Sequence, residues 1–249
     1  MERLTQRARG VSLAVFMLLL ISQIPARTLV WLLPEQVKLS GLSGTIWSGQ
    51  GARAWVKHDG KPLMLGRLQW RLQPWRMFWS TPLTLSTQWG EQTLHTRAGL
   101  SATGSWLLRD THISIDARIF RLFFPLYLGG TVSAHLERIE ITDARIQQAL
   151  GGMLLREMVW TARGGNLPLG TYRINLADSG SELGEVRGAM ETIEGALVLT
   201  GGFLLSDDSY DVSLRASGPV AREESFRRAV SVLATPTANG FDIFLQGQL

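Results

Sequence analysis

Four histidines and two pairs of adjacent carboxylates are the residues whose types could do chemistry. His58, His95, His112 and His135 are widely spaced, with no H-E-x-x-H pattern and no close pair. The chain also lacks cysteine, so the usual zinc frameworks are absent. His112 shares the polar parity of one alternating run with Ser114 and Asp116, which reads as a solvated sheet face. Asp207-Asp208 and Glu223-Glu224 are chain neighbours, whereas acid–base hydrolysis needs two carboxyl groups facing each other across a substrate. A hairpin tip and a helix first turn, where negative charge meets the helix dipole, account for them more simply. No G-x-S-x-G elbow, P-loop or dinucleotide fingerprint is present, and no glycine pair opens a helix after a strand. The expectation is a protein that is not an enzyme, with no catalytic residue, metal site or cofactor. A site assembled from distant residues is the remaining enzymatic alternative.

A different kind of chemistry is suggested by Leu65 to Trp79, LGRLQWRLQPWRMFW, where arginines and aromatics are mixed. Such a mixture suits anionic headgroups or stacked bases. Alternation accounts for the first part: Trp70 is expected in the core, Arg67 and Arg71 on the wet face, and a turn at Pro74. Trp75, Phe78 and Trp79, with Met77 among them, fit no single strand face. They are the candidate membrane-proximal or partner-facing patch.

The elements that must position these residues are mainly strands. Leu68, Trp70 and Leu72 alternate with Arg67, Gln69 and Arg71; Ile113, Ile115 and Ala117 alternate with His112, Ser114 and Asp116. Later runs centre on Tyr172 to Leu176, Tyr210 to Ala216 and Phe241 to Leu245. Gly129-Gly130, Gly164-Gly165-Asn166, Ser179-Gly180 and Ser206 to Ser209 are read as turns. The apolar parity changes between Leu136 and Ile139, which predicts a β-bulge. Ala221 to Leu233 places Phe226, Ala229, Val230 and Leu233 on one helical face, predicting one late amphipathic helix. The fold class is therefore mainly β, a curved antiparallel meander. Eight of the nine tryptophans lie between Trp31 and Trp106, so the domain divides by composition into two sub-halves meeting near 119–130.

Composition bounds the partners. Apolar residues make up 45% of the 249, enough for a core and too many for a disordered chain. The formal charge is +4, but Arg3, Arg7 and Arg9 against Glu2 carry half of it, leaving too little elsewhere for a nucleic-acid footprint. Residues 1–10 read as a cytoplasmic basic segment and 11–33 as a transmembrane anchor with its core at 11–24, Trp31 being the outer interfacial anchor. The alternative is a cleaved signal peptide ending near Ala26. On either reading the positive-inside rule exports residues 34–249 as a periplasmic domain.

Two motifs carry a resemblance. Gly44-Thr45-Ile46-Trp47-Ser48-Gly49, preceded by Gly41, resembles the GT-x-W-x-G signature of the type II secretion system protein N family. Trp70-Arg71-Leu72-Gln73-Pro74 resembles its W-x-L-x-P element, and Pro168-Leu169-Gly170 and Glu194 to Leu197 are similar to later parts of it. The resemblance implies a single-pass accessory subunit of the bacterial inner membrane, its amino end cytoplasmic and its carboxyl-terminal domain periplasmic. It further implies contacts with other secretion subunits in the inner membrane and periplasm, and no catalytic residues. Gly41, Gly44, Thr45, Trp47, Gly49, Trp70, Leu72 and Pro74 are then structural, with Trp47 filling the core. A function of another class is a lipid- or apolar-ligand-binding envelope protein with an AsmA-like β groove.

Overall fold

In the computed structural model the alternating runs become strands, fourteen among the described residues. The structure describes residues 12–13, 16–31, 33, 35–58, 61–76, 81–101, 103–122, 127–143, 145–162, 165–178, 184–206, 209–230 and 234–248. The chain divides into two compact units, Met1–Gly90 and Glu91–Leu249. The stretch 119–130 lies inside the second, where Ala117–Leu122 is a 3-10 helix.

In the first unit a 3-10 helix, Ala26–Trp31, precedes β1 (Val37–Gly44), β2 (Ser48–His58) and β3 (Lys61–Leu72). A 3-10 turn, Pro74–Arg76, leads to β4 (Leu83–Trp89), and the strands pair antiparallel in sequence order. Trp70 is 6% exposed while Arg67 and Arg71 face solvent, as the alternation of β3 requires.

The second unit continues as β5 (Gln92–Leu100), β6 (Trp106–Asp116), β7 (Leu128–Thr142), β8 (Arg145–Ala162), β9 (Gly165–Asp178) and β10 (Val186–Gly195). Then come β11 (Val198–Leu205), β12 (Ser209–Ser217), β13 (Ala234–Thr237) and β14 (Gly240–Gln248). Within this unit neighbours in sequence pair antiparallel as far as β12, which pairs with β14, and β13 lies outside β14. Register partners form rows across the strands. Ile113, Ala134, Met153 and Ile174 make an apolar row, and His112, His135, Gly152 and Asn175 make the adjacent row, which faces the other side. The expected bulge is present: the β7–β8 ladder shifts register between Leu136 and Arg138.

The main core lies where the late helical segment covers the sheet. Val220, Ala221 and Phe226 pack with Val132, Met158 and Tyr172 in a buried cluster. Trp160 meets Phe226 edge-on, with ring centroids 5.9 Å apart. Tyr172, 2% exposed, donates its hydroxyl to the carbonyl of Leu197 at 2.9 Å, and burial pushes its phenol up to about 12. A second cluster gathers Ala134, Leu136 and Ile139.

Three expectations are corrected. The late helix is two pieces, Pro219–Arg222 and Glu224–Val230, because Glu223 turns extended at ψ 131° between them. Glu223 donates its N–H to the Val220 carbonyl and accepts from the Arg227 N–H, closing one turn and opening the next. Leu233 lies outside the described residues. Gly129-Gly130 is no turn but part of β7, where the ladder to β8 shifts register between Gly129 and Thr131. By contrast, Ser206 and Ser209 do close a hairpin tip, the Ser206 N–H donating to the Ser209 carbonyl at 2.8 Å.

The third correction concerns the segment 11–33, which is not one helix. Residues 16–22 are helical and exposed, and the helix gives way at Gln23. Pro25 then makes a β-bridge to Thr45, Ala26 is buried, and the chain continues as the 3-10 helix. Proline cannot supply an N–H to a continuing α-helix, and bridge geometry diverts the chain onto the sheet. No helix among the described residues is long and apolar enough to cross a membrane. Arg3, Arg7 and Arg9 lie outside the described residues.

Candidate functional site

The motif residues converge on one junction in the first unit. β1 ends at Gly44 and β2 resumes at Ser48, with Gly44 and Gly49 as register partners. Thr45 closes the connection by donating its N–H to the Ser48 carbonyl at 2.9 Å. Gly44 takes φ 90°, where a Cβ would stand 2.5 Å from the Ser48 carbonyl oxygen, so only glycine fits without strain. Gly41 sits in β1 against Ala52.

The connecting residues Ile46 and Trp47 are held from two sides. From β3, Trp70 donates its indole N–H to the Ile46 carbonyl at 3.2 Å, and the Leu72 N–H reaches the Trp47 carbonyl at 2.6 Å. From the amino-terminal segment, the Ile24 carbonyl accepts the Ile46 N–H at 3.0 Å. The indole N–H of Trp47 reaches back to the Ile21 carbonyl at 2.9 Å. That carbonyl lies in the last turn of the exposed helix and also accepts the Ile24 N–H at 3.4 Å, so the indole is its shorter partner. Trp47 is half-buried and works as a clamp on the amino-terminal segment, which corrects its expected role as core filler. The buried tryptophan is Trp70, and Gly49 leaves room for its ring.

Pro74 opens the 3-10 turn after β3, next to Gln73, whose N–H donates to the Pro82 carbonyl at 2.8 Å. Trp75 in that turn is 64% exposed and Trp31 is 86% exposed, so both indoles are presented to solvent. Phe78 and Trp79 lie outside the described residues.

The charged groups form local pairs. Arg118 donates side-chain hydrogen bonds to Asp116 at 2.5 and 2.9 Å, which hold that carboxyl below its ordinary value. Arg173 meets Glu191 at 2.8 Å, Arg215 meets Asp242 at 2.8 Å, and Arg228 pairs with Glu224. Among the described residues no group of three or more His, Cys, Asp or Glu is arranged to hold a metal.

One association escaped the sequence reading. His95 is the register partner of His112, and His112 that of His135, so three of the four histidines stand in one row across β5, β6 and β7. The rings of His112 and His135 are 4.3 Å apart with Nδ1 to Nδ1 3.2 Å. The signal was there: Thr103-Gly104, the hairpin tip, lies midway between His95 and His112.

Comparison with known proteins agrees with the resemblance that the motifs carry. A family model described as type II secretion system, protein N, matches residues 35–243. A protein of Aeromonas hydrophila named Type II secretion system protein N is 26% identical over 193 residues, 73% of this chain and 75% of its own. No solved structure matches the chain. With most of its length inside the family model, this chain belongs to the type II secretion system protein N family.

Proposed function

We propose that this chain is an accessory subunit of the type II secretion machine, tethered to the inner membrane by its amino-terminal segment. On this reading its amino end is cytoplasmic and its β units are periplasmic. Its work is contact with other secretion subunits rather than catalysis. The observation that carries the reading is the junction itself. Three hydrogen-bonded links, at Ile21, Ile24 and Pro25, fasten an apolar amino-terminal segment to the motif turn between β1 and β2. Such a clamp makes sense where the segment before it is held by something outside the domain.

The contact surface fits β1, which pairs only with β2 among the described residues and contains no proline to blunt its edge. β13, the terminal strand of the second unit, carries Pro236 and is a poorer template. The test is in-cell photocrosslinking from Lys38, Ser40 and Trp75, with mass spectrometric identification of what is trapped. Secretion subunits are expected from β1. If probes at all three positions trap no secretion component, the reading fails.

Lipid binding is the second reading, favoured by one observation. Trp70 and Tyr172 are buried, but Leu68 and Leu83 in the first unit and Ile113 and Tyr210 in the second are only half-buried, so the apolar face of each unit is incompletely covered by the described residues. Lipid recovered at constant stoichiometry from detergent-free protein would support it, and its absence there would remove it.

A further inference from the structure

The polar face of the second unit brings together imidazoles that the contact role does not use. Two nitrogens bound to one tetrahedral zinc-type ion stand about 3.3 Å apart. The Nδ1 atoms of His112 and His135 stand 3.2 Å apart, with their rings tilted by 39°. The pair is already at the bite of a chelate. Without metal, one shared proton holds the same separation, the Nδ1–H of one ring donating to Nδ1 of the other.

We propose that His112 and His135 form a two-histidine site for a divalent transition-metal ion of the zinc and copper class, bound through both Nδ1 atoms. Space favours it. The two rings border an open concavity of about 530 Å³. The next residue in their row is Gly152, so no side chain crowds His135 from β8. Exposure favours it too, since both histidines are solvent-accessible and the ion keeps water in its remaining positions. Ligand type sets the metal class: imidazole nitrogens suit zinc, copper and nickel, not magnesium or calcium. Two arginines share the concavity. The charge of Arg173 is met by Glu191 at 2.8 Å, and Arg156 offers a counter-charge to an anion occupying an open position on the ion. Ligation needs both Nδ1 atoms bare, so the ring that carries Nδ1–H shifts that proton to its own Nε2, and two neutral imidazoles bind the ion with no net proton released.

The test is calorimetric titration of the purified full chain with zinc chloride. One ion per chain is expected. H112Q and H135Q should each weaken binding by at least about tenfold, while H58Q leaves it unchanged. Equal affinity in the H112Q/H135Q double variant, or no zinc binding by the wild-type chain, overturns the proposal. A second measurement needs no variant. The wild-type chain with one equivalent of copper(II) should show electron paramagnetic resonance splitting from two coupled nitrogens. Splitting from fewer than two nitrogens overturns the proposal independently of any folding defect.

Discussion

Trp70 lies so close over Gly49 that a Cβ on the glycine would stand 2.4 Å from its Cζ2 atom. The same indole fixes Ile46, so the ring cannot move aside without breaking the junction. Gly49→Ala should therefore lower unfolding free energy by about 1–3 kcal/mol, the usual cost of overpacking. Gly51→Ala, where the nearest atom is Leu42 Cδ2 at 3.4 Å, should cost less. Urea denaturation of both variants checks the order, and equal losses would contradict it.

The clamp from Trp47 to Ile21 can be cut without emptying the site. Trp47→Phe keeps an aromatic ring but removes the donor, and should cost about 1 kcal/mol, the net worth of one hydrogen bond. The more specific readout is amide hydrogen exchange. Protection at Ile46 and Thr28 should fall while β3 stays protected. Unchanged exchange at Ile46 would show that the indole does not hold the segment.

Two adjacent glycines of β8 make opposite demands. Gly151 has φ 138°, and a Cβ there would meet the His135 carbonyl oxygen at 2.3 Å. Gly152 has nothing nearer than the Ile174 carbonyl oxygen at 3.6 Å. Gly151→Ala should destabilise by about 1–3 kcal/mol through backbone strain, and Gly152→Ala by much less. Thermal melts of the two variants decide it.

Tyr172 predicts an alkaline limit to stability. Its folded-state phenol is raised from 10.0 to about 12 by burial, so the neutral form is favoured by folding. The contribution is fully present below pH 10 and is lost as pH rises through about 12. Stability measured between pH 9 and 12 should fall in the wild type, and Tyr172→Phe should flatten that fall. Asp116 has the opposite sign. Its carboxyl is lowered from 3.8, chiefly by the side-chain hydrogen bonds of Arg118. Its contribution is present above 3.8 and is lost as pH falls through the lowered folded value. Asp116→Asn should remove that acid dependence.

Much of this protein was legible along the chain because strand alternation is a local property. The inward position of Trp70, the solvated parity of His112 and the bulge after Leu136 all follow from which side of a pleat each residue takes. Family membership followed from the Gly44 to Gly49 and Trp70 to Pro74 motifs, whose spacing survives in one dimension. Pairing is not local. The junction depends on Ile21 and Ile24 folding back onto Ile46 and Trp47, and an apolar run gives no sign of where it leaves its helix. Gly129-Gly130 carries the composition of a turn yet stays in β7, since register with β8 outweighs local turn preference. The histidine row likewise exists only once two hairpins and their bulges set which residues face each other. Residue types and periods gave the β class and the absence of a recognisable catalytic motif. Register, a long-range quantity settled by turns and bulges, placed the tryptophan clamp and the paired imidazoles.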